Sequence, residues 1–131
     1  MTSPGRIVVG VDGSEPAQRA LAYALDEGRL RDWDVEVVHA WTFPAMGLSP
    51  SDPTPGEDIL DRALAAADVS GVRVTRRMVL EDSAPALLDS AESADLLVLG
   101  TRGRGGFAGL LMGSTSQHCT HHPPCPIAIV P

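Results

Sequence analysis

The spacing of apolar residues alternates along the chain between strand-like runs and helical periodicity. Residues 6–12 (RIVVGVD) carry a nearly continuous apolar run, the pattern of a strand covered on both faces. From Ser14 the spacing turns helical. Ala17, Ala20, Leu21, Ala24 and Leu25 share one face, and Gln18, Arg19, Asp26 and Arg29 fall outside it. Ser14 is placed as the N-cap, and Pro16 is tolerated in a first turn whose backbone donors lack helical partners. A second strand is predicted at 34–41 (DVEVVHAW), followed over 42–56 by a loop carrying Pro44, Pro50, Pro53 and Pro55. A short helix at 57–68 stacks Ile59, Leu60, Ala63, Leu64 and Ala67, with Gly71 just beyond it as a stop. Residues 72–80 (VRVTRRMVL) alternate and then show Arg76-Arg77, which predicts an edge strand. A helix from Ser83 to Ser93 is predicted, burying Leu87, Leu88, Ala91 and Ala94. Residues 95–100 (DLLVLG) form the most apolar strand, hence a central one. A glycine-rich loop (101–112), a helix (113–122) and a last short strand (127–130) complete the chain. Five strands alternating with four helices predict a doubly wound α/β sheet, and 131 residues without repeat or linker predict one domain, 1–131.

Composition narrows the class. With 44% hydrophobic and 21% charged residues the chain has the material for a core, and no run approaches the ~18 apolar residues of a membrane helix. A net charge of −7 argues against nucleic acid or an anionic membrane as partner. Every basic residue is arginine; the missing lysine excludes Schiff-base chemistry and a Walker P-loop. The two cysteines, Cys119 and Cys125, are too few for a disulfide scaffold. The apolar run Ile7–Val11 is too short for a secretory leader, so a cytoplasmic location is expected.

The candidate chemistry lies in Gly100-Thr-Arg102-Gly103 and Gly113-Ser114-Thr115-Ser116, which fit the pattern G-x2-G-x9-G-[ST]. A glycine ending a strand lets a ligand approach the backbone, and a helix N-terminus presents unpaired N–H groups to an anion. Without lysine, a phosphate here would rest on amides, on the hydroxyls of Ser114, Thr115 and Ser116, and on Arg102 or Arg104. Asp12 ends the first strand with no second carboxylate nearby except Glu15, which points outward from the first helical turn; a binding role is favoured over a catalytic one. His118, His121, His122, Cys119 and Cys125 lack a metal-binding frame, so no metal held by protein side chains is expected. Cys119 is read as a core-facing thiol, Trp33 and Trp41 as packing residues, and His39 as a satisfied histidine at a strand end.

These same segments resemble the universal stress protein family, in particular its ATP-binding branch, and the resemblance covers nearly the whole chain. Val8-Val-Gly-Val-Asp12-Gly-Ser14 is similar to the family's opening strand, and Val37-Val-His-Ala-Trp41 to its second. Ala94–Gly103 and Gly113–His118 resemble its phosphate and ribose signature, and His121–Val130 its ending. The resemblance implies a five-stranded parallel, Rossmann-like sheet of the adenine nucleotide alpha hydrolase type, with strand order 3-2-1-4-5 and helices on both faces. It implies adenosine held by Asp12 and the Ala40 backbone, with phosphates on Gly103, Gly113, Ser114, Thr115 and Ser116. Gly10, Val11, Leu99 and Gly100, at the strand ends, would line the same crevice. It further implies a homodimer through Ile127, Ala128, Ile129 and Val130. The expected function is a stress-response regulator in which ATP or AMP, the triphosphate with Mg²⁺, is a ligand rather than a rapidly consumed substrate. A further protein partner is expected without being specified. The alternatives are a slow ATPase and a nucleotide-free dimeric interaction protein.

Overall fold

A computed structural model describes residues 5–41, 55–80, 90–100 and 125–131. The described elements are β1 (Arg6–Gly10), α1 (Glu15–Arg31), β2 (Asp34–Trp41), α2 (Pro55–Ala65), β3 (Val74–Leu80), β4 (Leu96–Gly100) and β5 (Ile127–Val130). The strands form one parallel sheet in the order β3-β2-β1-β4-β5, as the family resemblance implies. The predicted helices over 83–93 and 113–122 fall largely or wholly outside the described residues, although Ser90 and Ala91 are helical.

The central strands show why their sequences lack strict alternation. Successive side chains point to opposite faces, yet Ile7, Val8 and Val9 are all fully buried, as are Leu97, Val98 and Leu99. Both faces of the sheet are therefore covered. The edge strand β3 differs: Thr75, Arg76 and Arg77 are exposed, with Arg76 ion-paired to Asp61 of α2.

Helix α1 begins where Ser14, in extended conformation, accepts at Oγ from the Ala17 amide at 3.3 Å. It ends where Asp32 turns left-handed at φ 58°. Its buried face is Ala17, Ala20, Leu21, Ala24, Leu25 and Gly28. It packs across β1 and β4 and reaches β5. Two residues read as facing outward are half-buried links instead. Gln18 Nε2 donates to the Ala63 carbonyl of α2 at 2.9 Å, and Arg29 Nη2 to the Asp68 carbonyl at 3.0 Å.

Boundaries shift by one to three residues. The first strand stops at Gly10 rather than residue 12, because Val11 and Asp12 already belong to the turn into α1. The second helix spans Pro55–Ala65 rather than 57–68. Proline is compatible with its first position, where no backbone donor is needed. Strand β3 starts at Val74 rather than residue 72, and β4 at Leu96 rather than residue 95.

At the opposite end from the predicted crevice, Arg6 ties three segments together. Its Nη1 donates to Glu36 Oε1 at 2.9 Å, and Nη2 to the Ser90 carbonyl and Ser93 Oγ at 2.9 and 2.8 Å. Its backbone amide donates to Asp95 Oδ2 at 2.9 Å. Trp33 packs as expected: its ring fills the space beside Gly5, and the Arg31 guanidinium lies 5.0 Å over it.

Candidate functional site: a crevice at the ends of β1 and β4

β1 is the strand at which the order reverses, with β2 on one side and β4 on the other. The connection after β1 leads to β2, and the connection after β4 leads to β5, so the chain leaves the two neighbouring strands in opposite directions. In such sheets the usual ligand position is the crevice beyond the carboxyl ends at this reversal. Gly10 ends β1 with Val11 and Asp12 just beyond it, and Leu99 and Gly100 end the neighbouring β4. The Ala40 backbone lies near the end of β2, paired in register with Val79.

The turn after β1 is held in detail. The Val11 amide donates to the Val38 carbonyl at 2.9 Å, extending the β1–β2 pairing one residue past the strand. The Val11 carbonyl lies 2.8 Å from His39 Nδ1. A carbonyl can only accept, so this nitrogen carries the proton. His39 is buried, and it is its Nδ1 that makes this hydrogen bond at the strand end. Gly13 adopts φ 85°, a left-handed conformation that a side chain would oppose, and it turns the chain into the helix.

Asp12 is half-buried in this turn. Its Oδ1 accepts from the Ser14 amide at 2.9 Å, which fixes the carboxylate against the start of α1. Its Oδ2 is inaccessible to solvent and has no hydrogen-bond partner among the described residues. A buried acceptor left unmet costs about 1–3 kcal/mol, so this oxygen is suited to a donor from a ligand.

Gly100 meets the protein's own backbone. A Cβ there would stand 2.8 Å from the Pro16 carbonyl carbon and 3.0 Å from the Ala17 amide. The missing side chain lets the first turn of α1 press against the end of β4. The close approach is by the protein's own backbone.

Arg102, Gly103, Gly113, Ser114, Thr115 and Ser116 lie outside the described residues, as do Cys119, His118, His121 and His122. Among the described residues no three His, Cys, Asp or Glu side chains form a metal-binding group. Cys125, just before β5, is half-buried, and that burial pushes its thiol above the ordinary value. No helix among the described residues is long and apolar enough to cross a membrane.

The fold is that of a doubly wound α/β protein whose strand order reverses at β1. The chain matches the Universal stress protein family over residues 4–131, and it belongs to that family. It is 35% identical over 118 residues to a universal stress protein of Mycobacterium tuberculosis (strain H37Rv), covering 85% of this chain and 40% of the relative. A universal stress protein of Mycolicibacterium smegmatis is 34% identical over 132 residues, covering 95% of this chain and 45% of the relative. The chain thus spans less than half the length of these relatives. Among solved structures, a universal stress protein in complex with cAMP superposes with a TM-score of 0.74 at 27% identity, covering 99% of this chain and 98% of that one. A member of the family from Burkholderia pseudomallei gives 0.69 at 25% identity, covering 97% and 96%.

Proposed function

We propose that this chain is one universal stress protein domain, 1–131, that binds an adenine nucleotide in the crevice between the ends of β1 and β4. The nucleotide acts as a regulatory ligand. The observation that carries this reading is the buried Oδ2 of Asp12, which has no partner among the described residues, on a carboxylate held in place through Oδ1 by the Ser14 amide. An adenosine moiety offers donors of the right kind, a ribose hydroxyl or the base amino group. The solved relative in complex with cAMP, which matches over 99% of this chain, supports the same ligand class. Phosphates would extend toward Gly103, Gly113, Ser114, Thr115 and Ser116, with Mg²⁺ accompanying a triphosphate. The described turn holds one carboxylate, Asp12, and a fixed carboxylate without a partnered base favours binding over hydrolysis.

Assembly through β5 belongs to the same reading. β5 is the second edge of the sheet, its four residues are apolar, and Ile129 is 38% exposed. An apolar strand edge invites pairing with a second copy, whereas the arginine-bearing β3 edge resists it. A cytoplasmic location fits the cysteine content.

Isothermal titration of nucleotide-stripped protein with ATP–Mg²⁺ tests the ligand. The expected result is saturable binding at one per chain, weakened roughly 10- to 100-fold by Asp12→Ala, the loss of a charge-assisted hydrogen bond. Unchanged affinity in that variant would remove Asp12 from the site. Absence of binding by the wild type at ~1 mM nucleotide would favour the nucleotide-free interaction protein.

A further inference from the structure

The outer edge of the sheet and the wall of the crevice share one structural part, the first turns of α1. On the crevice side, Asp12 Oδ1 accepts from the Ser14 amide, Ser14 Oγ accepts from the Ala17 amide, and the Gly100 backbone lies against Pro16 and Ala17. On the edge side, Arg19 of the same helix donates from Nε to the Pro131 main-chain oxygen at 2.7 Å, one residue beyond β5. The Arg19 side chain is 53% exposed, so it does not fill the core, and its ion pair with the largely exposed Glu15 is long, at 3.9 Å. The contact with Pro131 is therefore the directional one: a charged donor on a main-chain acceptor, joining a helix to the end of an edge strand.

We infer that Arg19 is a positioning residue that couples occupancy of the crevice to pairing of the β5 edge, an inference that rests on the nucleotide and dimer reading above. A ligand hydrogen-bonded to Asp12 restrains the turn at 12–14 and with it the start of α1. Through Arg19 that restraint reaches Pro131 and the last residues of β5. A strand end held extended before its partner arrives loses less conformational freedom on pairing. Nucleotide therefore tightens the dimer, and by linkage the dimer tightens nucleotide binding by the same factor, about fivefold to tenfold.

The experiment measures the dimer dissociation constant of the full chain by sedimentation equilibrium, without and with saturating ATP–Mg²⁺. The proteins compared are the wild type, Arg19→Met, Arg19→Gln, Arg19→Lys and Glu15→Gln, each first checked for folding by its thermal transition. Titration calorimetry below and above the dimer constant gives the reciprocal coupling. The expected wild-type ratio is about fivefold to tenfold. It should fall to about one in Arg19→Met and Arg19→Gln, persist in Arg19→Lys, which keeps a long charged donor, and persist in Glu15→Gln. A general loss of stability would instead weaken the dimer equally with and without nucleotide. The inference is overturned if Arg19→Met or Arg19→Gln keeps the wild-type ratio. It is equally overturned if a wild type that binds ATP–Mg²⁺ and dimerises shows no coupling. A wild type that fails to bind ATP–Mg²⁺ or to dimerise overturns the nucleotide or dimer reading itself, and the coupling with it.

Discussion

At the scale of single residues, position on the sheet decides what each group can do. Asp12 lies in the turn just beyond β1 and Gly100 ends the adjacent parallel strand β4, yet their surroundings differ. Asp12 holds one oxygen on the Ser14 amide and presents the other as a buried acceptor. Gly100 makes room for backbone, so Gly100→Ala should destabilise the fold by about 1–3 kcal/mol, because carbonyl and amide atoms cannot rotate away as a side chain could. Urea unfolding checks this, and a loss under 0.5 kcal/mol would mean that α1 can retreat without penalty. Cys125 gives a pH-dependent counterpart. Burial raises its thiol, so at pH 8 the folded protein should react with iodoacetamide more slowly than the urea-unfolded chain, as followed by mass spectrometry. The sign for stability follows. The contribution of a raised thiol is fully present below about pH 8.5 and is lost as pH rises through the folded value.

At the scale of elements, short clasps join segments that the sheet alone would leave independent. Arg6 connects β1 to Glu36 of β2 and to the segment entering β4 through Ser90, Ser93 and Asp95. The Glu36 side chain is only 17% exposed, so Arg6→Met strands a half-buried carboxylate. The expected cost is about 1–3 kcal/mol, and adding Glu36→Gln should recover part of it. A double-mutant cycle on urea midpoints measures the recovery, and strict additivity would show that the two side chains do not interact. The helix cap is a smaller test of the same kind. Ser14→Ala removes the acceptor for the Ala17 amide and should cost about 1 kcal/mol in the same assay.

At the scale of the whole molecule, the two sheet edges are unlike. On β3, Arg76 pairs with Asp61 of α2, and just before that strand Arg73 pairs with Asp34 of β2 at 2.7 Å, so this edge is lined with bonded charge. β5 offers Ile127, Ala128, Ile129 and Val130, partly exposed and apolar. A dimer formed through β5 should therefore be broken by Ile129→Lys, with the dimer dissociation constant rising at least about tenfold and the monomer's thermal transition little changed. Sedimentation velocity distinguishes this from an effect on folding. A dimer indifferent to Ile129→Lys would place the interface elsewhere.

Much of the architecture was legible in the sequence because burial leaves a periodic record. The apolar runs of β1 and β4, the helical spacing of α1 with Ser14 at its start, and the Arg76-Arg77 pair on β3 each follow from which faces meet water. Family resemblance added the strand order, which local periodicity does not encode. The sequence by itself thus determined the described elements and the α/β class, and put Asp12 within two residues of the end of β1. Tertiary structure alone decided the rest. Gly100 was readable as a glycine but not as the seat of Pro16, because a close approach depends on where another element lands. Gln18 and Arg19 were readable as polar and off the apolar face. That the first clasps Ala63 and the second Pro131 follows only from packing. The physical reason is range: periodicity reports how a residue meets its neighbours within a few positions. A hydrogen bond across 112 residues, such as that from Arg19 to Pro131, exists only once the sheet has brought α1 and β5 together.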